Sequence, residues 1–97
     1  MRPHRVLIGP DAAGVVRTLH PELKRGVKNA LRALSDDPCT GDPLRGELEG
    51  LWKYRVRRFR IVYSVDRSRR LIEVVAVGHR RTIYEEVAEG RRRRKGN

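Results

Sequence analysis

After Gly50 the apolar residues change period. Before it they recur every three or four residues; beyond it they recur every two. Trp52, Tyr54 and Val56 alternate with Lys53, Arg55 and Arg57, and Phe59, Ile61 and Tyr63 alternate with Arg60, Val62 and Ser64. A period of two sends alternate side chains to opposite faces of a strand. Two such runs joined at Arg57-Arg58 predict a β-hairpin in which Trp52 faces Tyr63, Tyr54 faces Ile61 and Val56 faces Phe59, all on one apolar side. The joint has no Gly, Asn or Asp, the residues that a tight primed turn favours. A wider four-residue loop would leave the same register.

The rest of the chain is placed around this hairpin. Arg5 to Ile8 is a short β-type run ended by Gly9-Pro10, and Asp11 stands where a helix cap would. Ala12, Val15, Val16 and Leu19 form one face of a first helix. His20-Pro21 interrupts it, and Pro21 suits the first position of the next. That helix carries Leu23, Val27, Ala30, Leu31 and Leu34 on one stripe, with Lys24, Arg25, Lys28 and Arg32 on the other side. The two predict an αα-hairpin over 11–36. Residues 37–50 are rich in Pro, Gly and Asp and read as a loop pinned by Leu44 and Leu48. Leu71 to Val77 is apolar on both sides apart from Glu73, as a central strand is, and 82–90 can form a short last helix.

A β-α-α-β-β-β order predicts an α+β domain. Its small, antiparallel-rich sheet has about four strands, with the N-terminal αα-hairpin packed on one face. With 97 residues and 38% hydrophobic content there is material for one core. The expected division is one domain over 1–90 and a basic, disordered tail over 91–97. No apolar run approaches the length of a membrane helix or a signal peptide. The single cysteine, Cys39, excludes an internal disulfide and a cysteine metal cluster. His4, His20 and His79 lack metal-ligand spacing. A cytoplasmic protein is expected, with no membrane partner, no metal and no cofactor.

The net charge of +11 points to anionic partners, and 19 of the 23 basic residues are arginine, whose planar fork suits phosphate. Ten bases and two acids fall in residues 52–81. In the predicted register Arg55 faces Arg60, with Lys53 two residues along on the same side. Like charges directly opposed destabilise a sheet, and a fold needing only solubility has no use for them. Three cations on one sheet face, with Arg80 after the last strand, fit a phosphate site. The pattern by itself leaves a solvated outer face open as the alternative; the scarcity of acids favours the site.

Three linked segments resemble the RelE/ParE toxin superfamily. They are Leu44-Arg45-Gly46-Glu47-Leu48-Glu49-Gly50-Leu51-Trp52-Lys53-Tyr54-Arg55-Val56, then Phe59-Arg60-Ile61-Val62-Tyr63, then Val77-Gly78-His79-Arg80-Arg81-Thr82-Ile83-Tyr84. The resemblance covers about residues 40–86. It implies the toxin of a type II toxin–antitoxin pair, and in the RelE-like branch an endoribonuclease that enters the ribosomal A site, cuts mRNA without a metal and so inhibits translation. By motif position Lys53 and Arg55 match two basic positions on the first hairpin strand. Arg60 matches the arginine of the second strand, Arg80 the arginine after the last, and Tyr84 the terminal tyrosine. Arg55 stands where lysine is usual, and Arg57-Arg58 replaces a common Gly-Asp.

Cleavage of RNA by its own 2′-OH needs a proton acceptor, positive charge on the phosphorane and a proton for the leaving oxygen. Arginine does not give up its proton, so Lys53, the only lysine in 52–81, is the candidate for proton transfer. Arg55 and Arg60 would stabilise the phosphate, and Arg80 would clamp it and serve as a candidate partner in proton donation. Tyr84 would stack on a base or orient the phosphate. His79 is a secondary candidate for the base, and Arg57, Arg58 and Arg81 are candidates for nucleic-acid binding. The expected partners are mRNA, the ribosome, and an antitoxin whose acidic, partly disordered segment covers Lys53, Arg55 and Arg60 or an adjacent apolar groove. A ParE-like poison of DNA gyrase, and an inactive relative that binds only antitoxin or nucleic acid, stay open as alternatives.

Overall fold

The structure, a computed structural model, describes residues 3–95. Strand β1 (Arg5–Ile8) leads into helix α1 (Pro10–Thr18) and helix α2 (Pro21–Asp36). A single 3-10 turn (Pro38–Thr40), strand β2 (Asp42–Pro43) and a second such turn (Gly46–Leu48) follow. The chain closes with strands β3 (Trp52–Val56), β4 (Phe59–Asp66) and β5 (Leu71–His79) and helix α3 (Ile83–Lys95). The sheet order is β1-β5-β4-β3-β2, antiparallel except where β1 runs parallel to β5. The α+β class, the αα-hairpin and the β3–β4 register are as the sequence predicts: Trp52 pairs with Tyr63, Tyr54 with Ile61, Arg55 with Arg60 and Val56 with Phe59.

Several details differ. Among the described residues the sheet has five strands where about four are expected, because Asp42 and Pro43 pair with Lys53 and Trp52 as a two-residue edge strand. Proline is tolerated there because an edge strand leaves one row of N–H groups unused. The cap of α1 is Gly9, with no side-chain hydrogen bond, and Asp11 lies in the first turn behind Pro10. Arg57-Arg58 is the whole hairpin loop, and Arg57 takes the left-handed φ of 55° that the tight turn demands.

The sheet buries both faces. Under α1 and α2, Ala12, Val27, Ala30 and Leu34 pack on Val56, Ile61, Tyr63, Ile72, Val74 and Val77, with Trp52, Tyr54 and Phe59 at the margin. On the other face α3 packs Ile83, Val87 and Ala88 on Val62, Leu48 and Leu51, beside Val75 and Ala76. A bulge makes this possible: Val62 pairs with Ala76 and Tyr63 with Val74, so Val75 is the extra residue. Val75 and Ala76 both join the α3 cluster, while Ile72, Val74 and Val77 stay on the other side.

The basic run 91–95, expected in a disordered tail, forms the last turns of α3. Arg91 Nη1 donates to the carbonyl oxygens of Glu47 at 2.9 Å and Glu49 at 3.0 Å. Arg92 lies between the carboxylates of Glu47 at 2.7 Å and Glu85 at 2.9 Å. These anchors, and the preference of cations for a helix C-terminus, offset the repulsion within the run. Residues 96 and 97 of the expected tail lie outside the described residues. Among the described residues no helix is long and apolar enough to cross a membrane.

Candidate functional site

Strand pairing lays out the site as rows. One row runs Asp42, Lys53, Val62, Ala76 across β2, β3, β4 and β5. The neighbouring row runs Arg55, Arg60, Gly78. Both rows face the α3 side, so Lys53, Arg55 and Arg60 share one surface at the open end of the second core. Gly78 matters for its lack of a side chain: a Cβ there would lie 2.6 Å from Ile83 Cδ1. Its absence lets Ile83 close over the strand and seat the first turn of α3. That turn delivers Tyr84, and Lys53 Nζ lies 5.8 Å from the centre of the Tyr84 ring. A cation at this distance from a ring face is attracted by its quadrupole.

The other predicted residues gather at the hairpin tip. Arg60 Nη1 donates to the carbonyl oxygens of Arg57 at 3.0 Å and Phe59 at 2.9 Å, so one edge of its guanidinium braces the turn. The backbone N–H of Arg80 donates to Arg58 O at 2.8 Å, which ties the end of β5 to the tip. Arg57 ion-pairs with Glu22 of α2 at 3.7 Å in the open. Arg58, Arg80 and Arg81 are exposed around the same corner. His79 pairs with Phe59, and its ring meets the Phe59 edge at 6.0 Å. It therefore lies on the opposite side of the sheet from Lys53, with Nδ1 accepting from Arg81 N at 3.3 Å.

Two contributions were not legible beforehand. Asp42 is in register with Lys53, though no ion pair joins them, and the two-residue strand that places it is hidden in the turn-rich loop. Gly41 holds that edge in place: a Cβ there would strike the Lys53 carbonyl oxygen and the Tyr63 hydroxyl. Tyr63 is fully buried and donates to Pro38 O at 2.8 Å, and burial pushes its hydroxyl up to about 12. It is a core residue that fixes the strand carrying Lys53.

Chemically the surface is a cation cluster without paired acids. Among the described residues neither Lys53 nor Arg55 makes an ion pair. Such a surface suits a phosphate with a nucleobase beside the Tyr84 ring.

The family described as the ParE toxin of the type II toxin–antitoxin system, parDE, matches residues 11–84. The chain belongs to this family. Among solved structures, the toxin resembles the RelBE2 toxin–antitoxin complex of Mycobacterium tuberculosis. The identity is 29% over 82% of this chain and 94% of that one, with a TM-score of 0.75. A mutant of the E. coli toxin RelE in the free state gives a TM-score of 0.76 at 22% identity, over 95% of this chain and 97% of that one. The archaeal RelE–RelB complex from Pyrococcus horikoshii gives 0.68 at 20%, over 80% and 96%. The last two likenesses speak for the fold. No curated protein matches the toxin significantly.

Proposed function

We propose that the toxin is a cytoplasmic, ribosome-dependent mRNA endonuclease. The observation that carries this reading is the meeting of Lys53 and Tyr84 on the face where Arg55 opposes Arg60. In the proposed reaction the RNA 2′-oxygen attacks the adjacent phosphorus while its proton passes to the Lys53 amino group. The P–O5′ bond breaks, leaving a 2′,3′-cyclic phosphate and a 5′-hydroxyl, as the proton held by Lys53 passes to the leaving oxygen directly or through a relaying water. Arg55 and Arg60 stabilise the charge on the phosphorane, Arg80 clamps the phosphate from the strand end, and Tyr84 stacks on a neighbouring base. An acidic antitoxin segment that folds over the same cations would block the site. That solved relatives include toxin–antitoxin complexes supports such a partner.

The matching family carries the ParE name, and the resemblance to that branch supports a second reading, poisoning of DNA gyrase. Induction followed by mapping of mRNA ends on ribosomes, beside a gyrase supercoiling assay, separates the two. The nuclease reading expects cuts at ribosome-occupied codons that vanish in Lys53→Ala with Arg80→Ala. Intact mRNA with inhibited supercoiling would overturn it.

A further inference from the structure

The toxin carries a second basic surface on the far side of the sheet. Lys24, Lys28 and Arg32 recur every four residues along α2, and Arg25 flanks them. Residues four apart stand one above the other on a helix, so the three form a ridge about 12 Å long. Val27, Ala30 and Leu34 are the buried positions of α2, so the ridge turns outward from the core. Among the described residues none of the four side chains has a hydrogen bond or ion pair; Glu22, the nearest acid at the start of the helix, is engaged by Arg57. Like charges at this spacing destabilise a helix by about 0.2–0.5 kcal/mol per pair. Asp36 continues the row four residues beyond Arg32 without forming an ion pair with it among the described residues, so the Lys24–Lys28 and Lys28–Arg32 repulsions have no counter-charge between them.

We propose that this ridge docks on the phosphate backbone of double-helical nucleic acid. A duplex carries about one negative charge per 1.7 Å of axis, both strands counted, so about 12 Å of it holds roughly seven charges, and those on the near side face the ridge. A peptide helix docking in such a place would need apolar anchors. The ridge offers none, since among the described residues the exposed large apolar side chains are Leu7 and Ile8 on β1. Because α2 lies between the ridge and the sheet, a docked duplex leaves Lys53, Arg55 and Arg60 free on the other face. The proposal is independent of RNA cleavage.

The test uses the full chain, with Lys24→Gln, Lys28→Gln and Arg32→Gln together, against a control of equal charge, Arg5→Gln, Arg45→Gln and Arg93→Gln. Fluorescence anisotropy reads binding to blunt RNA and DNA duplexes of one sequence, about 16 base pairs long, without any scission. At about 0.15 M salt the ridge variant is expected to lose about 100-fold in affinity, with a salt slope shallower by about 2–3. The control is expected to lose less than tenfold. A fall on both duplexes assigns the ridge to phosphate backbones in general, and a fall on RNA alone to the A-form helix. Equal losses in ridge and control variants would overturn the proposal. So would a ridge variant that keeps duplex binding but loses affinity for poly-glutamate, which would assign the ridge to an acidic protein. Unfolding temperatures at or above the parent's are expected for the ridge variant, because glutamine favours helix and the repulsion is gone.

Discussion

Arg55 and Arg60 stand directly opposite one another across the β3–β4 pair, two guanidiniums at a position where strands ordinarily match charge with counter-charge. Such a pair destabilises the hairpin by a few tenths to about 1 kcal/mol. Arg60 also braces the turn through the Arg57 and Phe59 carbonyls, whereas Arg55 has no hydrogen bond or ion pair among the described residues. Arg55→Thr should therefore raise the unfolding temperature by a few degrees while cutting mRNA cleavage by about 10²-fold. Calorimetry and a ribosome-bound cleavage assay on the same preparation check both. A variant that is neither more stable nor less active would remove Arg55 from the site.

The contact between Lys53 and Tyr84 separates charge from proton transfer. Lys53→Arg keeps the cation beside the ring but cannot accept a proton. It should retain RNA binding within a few-fold and lose about 10²–10⁴ in cleavage rate. Tyr84→Phe keeps a ring for the cation and the base, so it should stay near parental activity, with Tyr84→Ala well below it. Single-turnover cleavage with binding measured separately gives the answer. Equal losses in Tyr84→Phe and Tyr84→Ala would move the role from the ring to the hydroxyl.

The layout of the candidate site was legible wherever alternation alone decides geometry. A strict period of two fixed the β3–β4 register and with it the shared face of Lys53, Arg55 and Arg60. What escaped was governed by contacts between segments distant in the chain. The β2 edge depends on Gly41 approaching the Lys53 carbonyl, which no local pattern announces. The helical state of 91–95 depends on Arg91 and Arg92 finding Glu47, Glu49 and Glu85, whereas five adjacent cations read alone as a repelling tail. Single-residue geometry escaped too: the bulge at Val75 breaks the alternation of β5, so the two-sided burial of that strand was readable but its face assignment was not.

Arg57 adopts a left-handed backbone without the glycine that would relieve it. That conformation costs an L-residue about 1–2 kcal/mol, and its exposed ion pair with Glu22 returns little. Arg57→Gly should stabilise the fold by about 0.5–1 kcal/mol and, through the lost cation, weaken RNA binding. Chemical denaturation and an RNA-binding titration on the variant measure the two effects. A destabilised Arg57→Gly would show that the ion pair or the packing of the Arg57 stem outweighs the strain.

Gly41 and Tyr63 govern the edge that carries Lys53, and each has its own signature. Gly41→Ala must push its methyl into the Lys53 carbonyl oxygen and the Tyr63 hydroxyl. It should lose about 1–3 kcal/mol of stability and some activity through displacement of β3. Tyr63 gives a pH test with a definite sign. Its hydroxyl, ordinarily at 10.0, is held up to about 12 by burial. Below pH 10 both folded and unfolded chains keep the proton, and the Tyr63–Pro38 hydrogen bond favours the parent over Tyr63→Phe by about 1 kcal/mol. From pH 10 to 12 the unfolded chain gives up the proton while the folded one retains it. The parent therefore loses stability with rising pH, about 2–3 kcal/mol in all. Urea denaturation of parent and Tyr63→Phe across pH 8–12 should show the parent's lead shrinking and then reversing. A difference that stays constant across that window would mean that the hydroxyl ionises as easily in the fold as in water.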